Sequence, residues 1–251
     1  MMRLMEIVYG FTGSWGLAII TLTLIVRLML HPLTQKQMAS MQKMQKLQPR
    51  IKMLQEKYKN DKETLNREMM ALYKENKVNP AAGCFPLLVQ LPVFILLYRV
   101  LTQYDFSGVS FLGIQLDGSV LSTVAQAVGL AMEKDQLGIM SVGYAVMANP
   151  AGLMNIGIYL ANTLLLAGIG FLTWYQQQLS STGNPQMAMM NWFMPLFLTF
   201  ICLSLPGGVL LYWGVSSLLG VIQQIVMSKK TAVEMQKKPT LFKDRPSKSG
   251  E

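Results

Sequence analysis

Charge is scarce in this chain: 14% of its 251 residues are charged and 51% are hydrophobic, with a mean hydropathy of +0.33. A soluble domain carries about 25% charged residues, so the composition is that of a polytopic membrane protein. Acidic residues are absent from every long apolar run, which removes both the paired carboxylates of intramembrane aspartyl chemistry and the ion-coupling acids of a secondary transporter. Histidine occurs once, at His31, and neither GxSxG nor HExxH is present. No enzymatic activity, cofactor or metal is expected. The two cysteines, Cys84 and Cys202, lie in apolar runs without CxxC spacing, so neither a disulfide framework nor a zinc site follows. The beginning, MMRLMEIVYGFTGSW, lacks the basic region and cleavage site of a removable signal, and the first apolar run is expected to be a retained helix.

What is present are five apolar runs of spanning length, predicted as helices over 14–32, 83–103, 155–176, 187–205 and 207–227. The fold class is therefore an all-α membrane protein with five transmembrane helices. Residues 1–13 carry only Arg3 and Glu6, whereas 34–77 carry eleven Lys/Arg against five Asp/Glu. The positive-inside rule places the N-terminus outside and the basic segment inside. Residues 104–154 form an acidic external loop, 177–186 an internal loop, and 228–251 a basic tail with seven Lys/Arg, so the C-terminus is internal. Within the external loop, Val120–Met132 and Leu137–Ala148 are too short to span and read as interfacial or re-entrant pieces.

Residues 33–82 are expected to form a cytoplasmic helical hairpin. Met38, Met41, Met44, Leu47, Ile51, Leu54 and Tyr58 recur at spacings of three and four, a stripe along one helix that Pro49 is expected to kink. Asn60 and Glu63 suit a capping box for a second helix, with Leu65, Met69, Leu72 and Tyr73 as its apolar side. Met38, Met41 and Met44 are candidates for client contact, since methionine surfaces repack around varied apolar partners; core filling explains them equally well.

The polar residues inside the spans carry the functional argument. Arg27 sits in the first span, where a charge near the middle of a helix costs about 2.5 to 3.5 kcal/mol. Snorkelling toward the helix end at His31 and Pro32 is the plainer explanation. Thr23, Arg27, His31 and Thr34 share one face, however, and Trp213, Ser217, Gly220 and Gln224 form a second polar stripe on the fifth span, with Ser216 and Gln223 beside it. A small-residue packing seam accounts for the serines and the glycine better than for the glutamines. Gln90 in the second span and Asn162 in the third are isolated amides. Two polar stripes on different helices point to a water-filled cavity between them.

At the level of whole strings, the chain resembles the YidC/Oxa/Albino-three membrane protein insertases. The resemblance rests on GLAIITLTLIVRLMLHPLTQKQ, LQPRIKMLQEKYKNDKETLNREMMALYKENKVNP, NPAAGCFPLLVQLPVFILLYRVL, FLGIQL, NPQMAMMNWFMPLF and LPGGVLLYWGVSSLLGVIQQ, in that order. The short N-terminal segment looks like the Gram-positive form. The resemblance implies a five-helix bundle around a hydrophilic groove open to the cytoplasm and to lipid, with Arg27 as its arginine and Trp213 as the tryptophan of its LYW motif. Where many members read VSN after that tryptophan, this chain has Ser216 and Ser217. The substrate groove is thus expected to hold Arg27, Thr23, Gln90, Asn162, Trp213, Ser217 and Gln224, and clients are expected to leave along spans three and five.

The implied function is an insertase of the bacterial plasma membrane that receives nascent membrane proteins and releases their apolar segments into lipid. A small-solute transporter or channel is the alternative from another class. Expected partners are nascent membrane proteins and lipid, with the Sec translocon and the ribosome, the latter through the tail and hairpin, as further candidates. The basic tail serves equally as a topology anchor at anionic lipid. No DNA is expected.

Overall fold

The computed structural model describes residues 2–78, 85–103, 106, 108–130, 138–180 and 185–237. Cys84, the trio Glu133, Lys134 and Asp135, the loop 181–184 and the tail beyond Lys237 lie outside the described residues. The described chain is mostly helical, with one two-stranded β-hairpin.

Residues 2–13 are themselves structured. Helix α1 (Met2–Thr12) meets α2 (Trp15–Lys46) at a corner where Gly13 has φ +63°, the left-handed region that glycine enters freely. Met5 is buried against the α2 core, and Tyr9 stacks on Trp15 at 4.1 Å.

Helix α2 does not stop at Pro32. One missing donor leaves the flanking turns bonded, and the helix runs for 32 residues, about 48 Å at 1.5 Å per residue. That exceeds the ~30 Å hydrocarbon core, so the last turns stand clear of it. A joint at Leu47 leads to α3 (Gln48–Lys57), where Pro49 occupies the first turn. Its missing donor is harmless there, and Pro49 opens a helix where a kink was expected. The cap of α4 (Lys62–Glu75) is also one residue from its expected place. Asp61, not Asn60, caps it, accepting from the Thr64 amide at 3.0 Å. Met44, Leu47, Ile51, Leu72, Tyr73 and Val78 bury one another in a small core that closes the hairpin.

Helix α5 (Phe85–Gln103) precedes strands β1 (Ser110–Phe111) and β2 (Ile114–Gln115), which pair antiparallel. Leu112 and Gly113 join them with φ of 52° and 81°, the double positive φ of a type I′ turn. Next come α6 (Val120–Ala127), α7 (Ile139–Ala148) and a 3-10 turn (Pro150–Met154). The remaining helices are α8 (Ile156–Ser180), α9 (Pro185–Cys202) and α10 (Gly207–Lys237).

Helices α2, α5, α8, α9 and α10 fall on the five apolar runs. Among the described residues, α2, α8 and α10 are long and apolar enough to cross a membrane, and α5 and α9 contribute the shorter apolar stretches Gln90–Arg99 and Trp192–Cys202. Helix α10 is central, packing on α8, α2 and α5, while α9 packs on α8. The α8/α10 seam is tight: a Cβ on Gly214 would lie 3.2 Å from Leu165 and 3.4 Å from Ile169. The sides of these two helices that face away from the seam stay apolar and exposed, with Leu160 and Leu164 on α8 and Leu218 and Ile222 on α10.

Toward the N-terminal end of α2 the bundle is filled by Ala18, Ile19 and Leu22 together with Leu97, Ile114, Leu116 and Val209. Phe111 of the β-hairpin lies so close to Gly16 that any Cβ there would overlap its ring. The β-hairpin thereby covers this end of the α2/α10 seam.

Candidate functional site

One turn past the buried core, the contact between α2 and α10 changes from apolar to polar. Thr23 is still fully buried and donates to its own helix, to the Ile19 carbonyl at 2.7 Å. Arg27 comes next on the same face and is half-buried. Its Nε donates to Ser216 Oγ at 3.0 Å, and its Nη2 donates to Ser216 Oγ at 2.7 Å and to the Ser216 carbonyl at 2.5 Å. The guanidinium therefore lies across α10 instead of snorkelling along its own helix. Gly220 makes room for it: a Cβ there would meet Gln176 Nε2 at 2.9 Å and Arg27 Nη2 at 3.5 Å.

The polar set continues on four helices. Tyr212, one turn before Ser216, accepts at its hydroxyl from Gln90 Nε2 at 2.6 Å, which links α5 to α10. Its ring is buried in the apolar core. At the other end, His31 lies between Gln223 Nε2 at 2.7 Å from Nδ1 and Gln35 Nε2 at 2.8 Å from Nε2. Arg27, Gln90, Tyr212, Ser216, Gly220 and Gln176 thus line one polar region, with His31 and Gln223 beyond it. No Asp or Glu occurs in the apolar runs, and the hydrogen-bond partner of the arginine among the described residues, Ser216, is neutral.

The structure brings Arg27 and Gln90 together with residues that sequence reasoning left aside. On α10 the residues that meet Arg27, Gln90 and His31 are Tyr212, Ser216, Gly220 and Gln223, so that Gly220 of the expected stripe and its neighbours Ser216 and Gln223 are in place, while Trp213, Ser217 and Gln224 lie to one side. Ser217 is buried. Trp213 is half-buried among Val120, Leu166, Ile169 and Leu210, with its ring edge-on to Phe94 at 5.9 Å. Gln224 is half-buried one position beyond Gln223. Thr23 belongs to the core at the closed end of the region.

Asn162 stands apart, which corrects its expected place in the groove. It is fully buried and uses its whole amide on the β-hairpin: Nδ2 donates to the Gln115 and Gly118 carbonyls at 3.2 and 2.9 Å, and Oδ1 accepts from the Gln115 amide at 2.9 Å. The Gly118 carbonyl also accepts from the Gly207 amide at 2.9 Å, and the Leu116 carbonyl from Gly208 at 2.8 Å. The β-hairpin, α8 and the turn before α10 are fastened at one point. A buried amide with no free polar atom has nothing to offer a substrate.

On the cytoplasm-assigned hairpin, Met38 and Met41 are half-buried, but Met44 is a core residue. This corrects its expected role as a client contact. The exposed methionines there are Met53 and Met70. Gln45 Nε2 donates to the Leu179 carbonyl at 2.8 Å and ties the base of the hairpin to α8.

Residues 7–236 match the family described as 60Kd inner membrane protein. A membrane protein insertase YidC of Treponema denticola is 38% identical over 229 residues, 90% of this chain and 36% of that protein. One from Bradyrhizobium diazoefficiens is 32% identical over 235 residues, 92% of this chain and 36% of that protein. This chain thus spans about a third of the length of these curated relatives. A crystal structure of an active YidC insertase with its first transmembrane domain resolved superposes with a TM-score of 0.61 at 30% identity, covering 90% of this chain and 44% of that one.

Proposed function

The chain belongs to the 60Kd inner membrane protein family and is a multi-pass protein of the bacterial plasma membrane, and on that premise we propose that it is a membrane protein insertase. The observation that carries the reading is a half-buried arginine, Arg27, held only by neutral partners. An uncancelled positive charge inside an apolar bundle attracts an acidic or polar segment that would otherwise cross lipid unaided. In this reading the five apolar helices all span, with the N-terminus outside and the hairpin and tail inside. The hydrophilic region opens toward the cytoplasm through His31 and Gln223, and the β-hairpin closes the outer side. Nascent membrane proteins are the substrates, and nothing is cleaved or bonded.

Release runs along the lipid-facing sides of α8 and α10. Leu160 and Leu164 on α8 and Leu218 and Ile222 on α10 are exposed apolar side chains. Partitioning of the client drives the step, at roughly 25 cal/mol per Å² of apolar surface removed from water. The Sec translocon and the ribosome are further proposed partners, the latter through the basic tail and the hairpin.

The test is insertion of a short single-span protein with an acidic N-terminal tail into vesicles that hold only this chain. Arg27→Ala is expected to slow insertion at least about tenfold, since hydrogen bonds to a charged group contribute roughly 1.5 to 3 kcal/mol. Arg27→Lys keeps the charge but not the fork, and is expected to retain part of the rate. An Ala variant that melts normally and inserts this substrate at the full rate would overturn the reading.

A further inference from the structure

The two short apolar helices after the β-hairpin have similar compositions and opposite fates. Helix α6 uses its apolar residues inside the protein: Val120, Leu121, Ala125 and Ala127 are buried, and the Leu121 amide donates to the Leu203 carbonyl at 3.2 Å. Helix α7 does not. Val142 is buried against Leu121 and Ala125, but Met140, Tyr144 and Met147 on the other side are 78%, 72% and 81% exposed. Spaced by four and three, they form one face of the helix.

A helix at a water surface is polar on its exposed side, whereas one apolar all round is enclosed on all sides. Residues 139–148 contain no charge, and none occurs anywhere between Asp135 and Lys229. At ten residues, about 15 Å, α7 is too short to cross a bilayer. The chain that follows it keeps exposing apolar side chains, at Met154 and then at Ile156, Leu160 and Leu164 on α8, one of the helices of spanning length.

The arrangement is fixed. Asn149 Nδ2 donates to the Val128 carbonyl at 3.1 Å, Tyr159 Oη to the Leu153 carbonyl at 2.8 Å, and Gly152 lies so close that a Cβ would fall 2.6 Å from Val128 Cα. The helix and its apolar face are therefore anchored to the end of α6 and to the first turn of α8.

We infer that α7 is a lipid-embedded element, lying in the outer leaflet with Met140, Tyr144 and Met147 against acyl chains while α6 forms its protein-side support. The partner is bilayer lipid, identified by the continuity of this face with α8 and by the absence of charge. Lipid contact rests on membrane location alone, and the choice of the outer leaflet rests on the orientation proposed above.

The test uses nitroxide labels at Met140→Cys and Met147→Cys in a chain with Cys84 and Cys202 replaced by alanine, in proteoliposomes. Asn60→Cys, exposed on the hairpin, serves as the aqueous control. Collision with oxygen is expected to exceed collision with a water-soluble nickel chelate at 140 and 147, and the reverse at 60. Nickel access at 140 and 147 would place α7 in water and overturn the inference. Low access to both reagents would place it under protein, a second copy or another chain, and would overturn it as well. In the unsubstituted chain, a phospholipid carrying an acyl-chain diazirine is expected to label peptides from 139–154 on illumination. Labelling of α8 peptides without any in 139–154 would refute it independently.

Discussion

At Ile19 the α2 and α10 helices meet in a core without an exposed atom, whereas eight residues along, at Arg27, they meet through a guanidinium, two hydroxyls and amides. The first end is fastened to the β-hairpin by backbone hydrogen bonds and one buried amide, with glycines at the closest approaches. The second end is joined by side chains that water or a polar ligand can replace at little cost, because exchanging one hydrogen bond for another changes the free energy by about 1 kcal/mol or less. On the proposed reading, a bundle built this way opens at its polar end and stays fastened at the other.

The comparison breaks most readily at Gly207. A Cβ there would overlap the Gln115 carbonyl, and the obstacle is backbone, so Gly207→Ala is expected to destabilise the protein by roughly 3 kcal/mol or more. Thermal melting in detergent reads this as the largest loss among these variants. Asn162→Ala removes three hydrogen bonds in a dry site and leaves the Gln115 amide and carbonyl unpaired, an expected cost of about 2 to 4 kcal/mol. Faster hydrogen exchange at Gln115 would locate the damage at the fastened end.

The polar end should respond more weakly. Gln90→Leu removes the bond to Tyr212 and is expected to cost about 1 kcal/mol or less, with a melting shift well below that of Asn162→Ala. A shift as large as that of Asn162→Ala would show that the two ends are equally rigid and would end the contrast. The smallest effect lies outside the bundle, at Asp61. The Thr64 side chain and amide hold its carboxyl below the usual carboxylate range, so its capping contribution is present above the unfolded value and is lost as pH falls through the lowered one. Protection of the Thr64 amide should fall with acidification in the native chain and stay level in Asp61→Asn, which caps without titrating.

The sequence showed some of this directly and concealed the rest for physical reasons. The apolar runs and the hairpin stripe were legible because helical periodicity repeats over many residues. Arg27 was legible because a charge among apolar residues has few explanations. Which member of each pair on α10 turns toward Arg27 and His31 was not legible, because polar residues occur in adjacent pairs at 216 and 217 and at 223 and 224, about 100° apart around the helix. Only the neighbouring helix chooses between such faces. The partners of Asn162 are backbone atoms of a loop, which leave no trace in side-chain pattern. Strands of two residues fall below any period, so the β-hairpin was invisible, although its Leu112–Gly113 turn was present in the FLGIQL string.

The unbroken α2 helix has a mechanical consequence. With its pivot in the packed region around Ile19, Arg27 lies about 12 Å out along the rod and Lys46 about 40 Å out. The lever ratio is roughly three to one, so a sideways push of about 10 Å where the hairpin joins the rod would displace the guanidinium by about 3 Å. That distance exceeds the slack of a hydrogen bond, so on the proposed reading a client's load on the hairpin that also parts Gln45 from Leu179 would part Arg27 from Ser216.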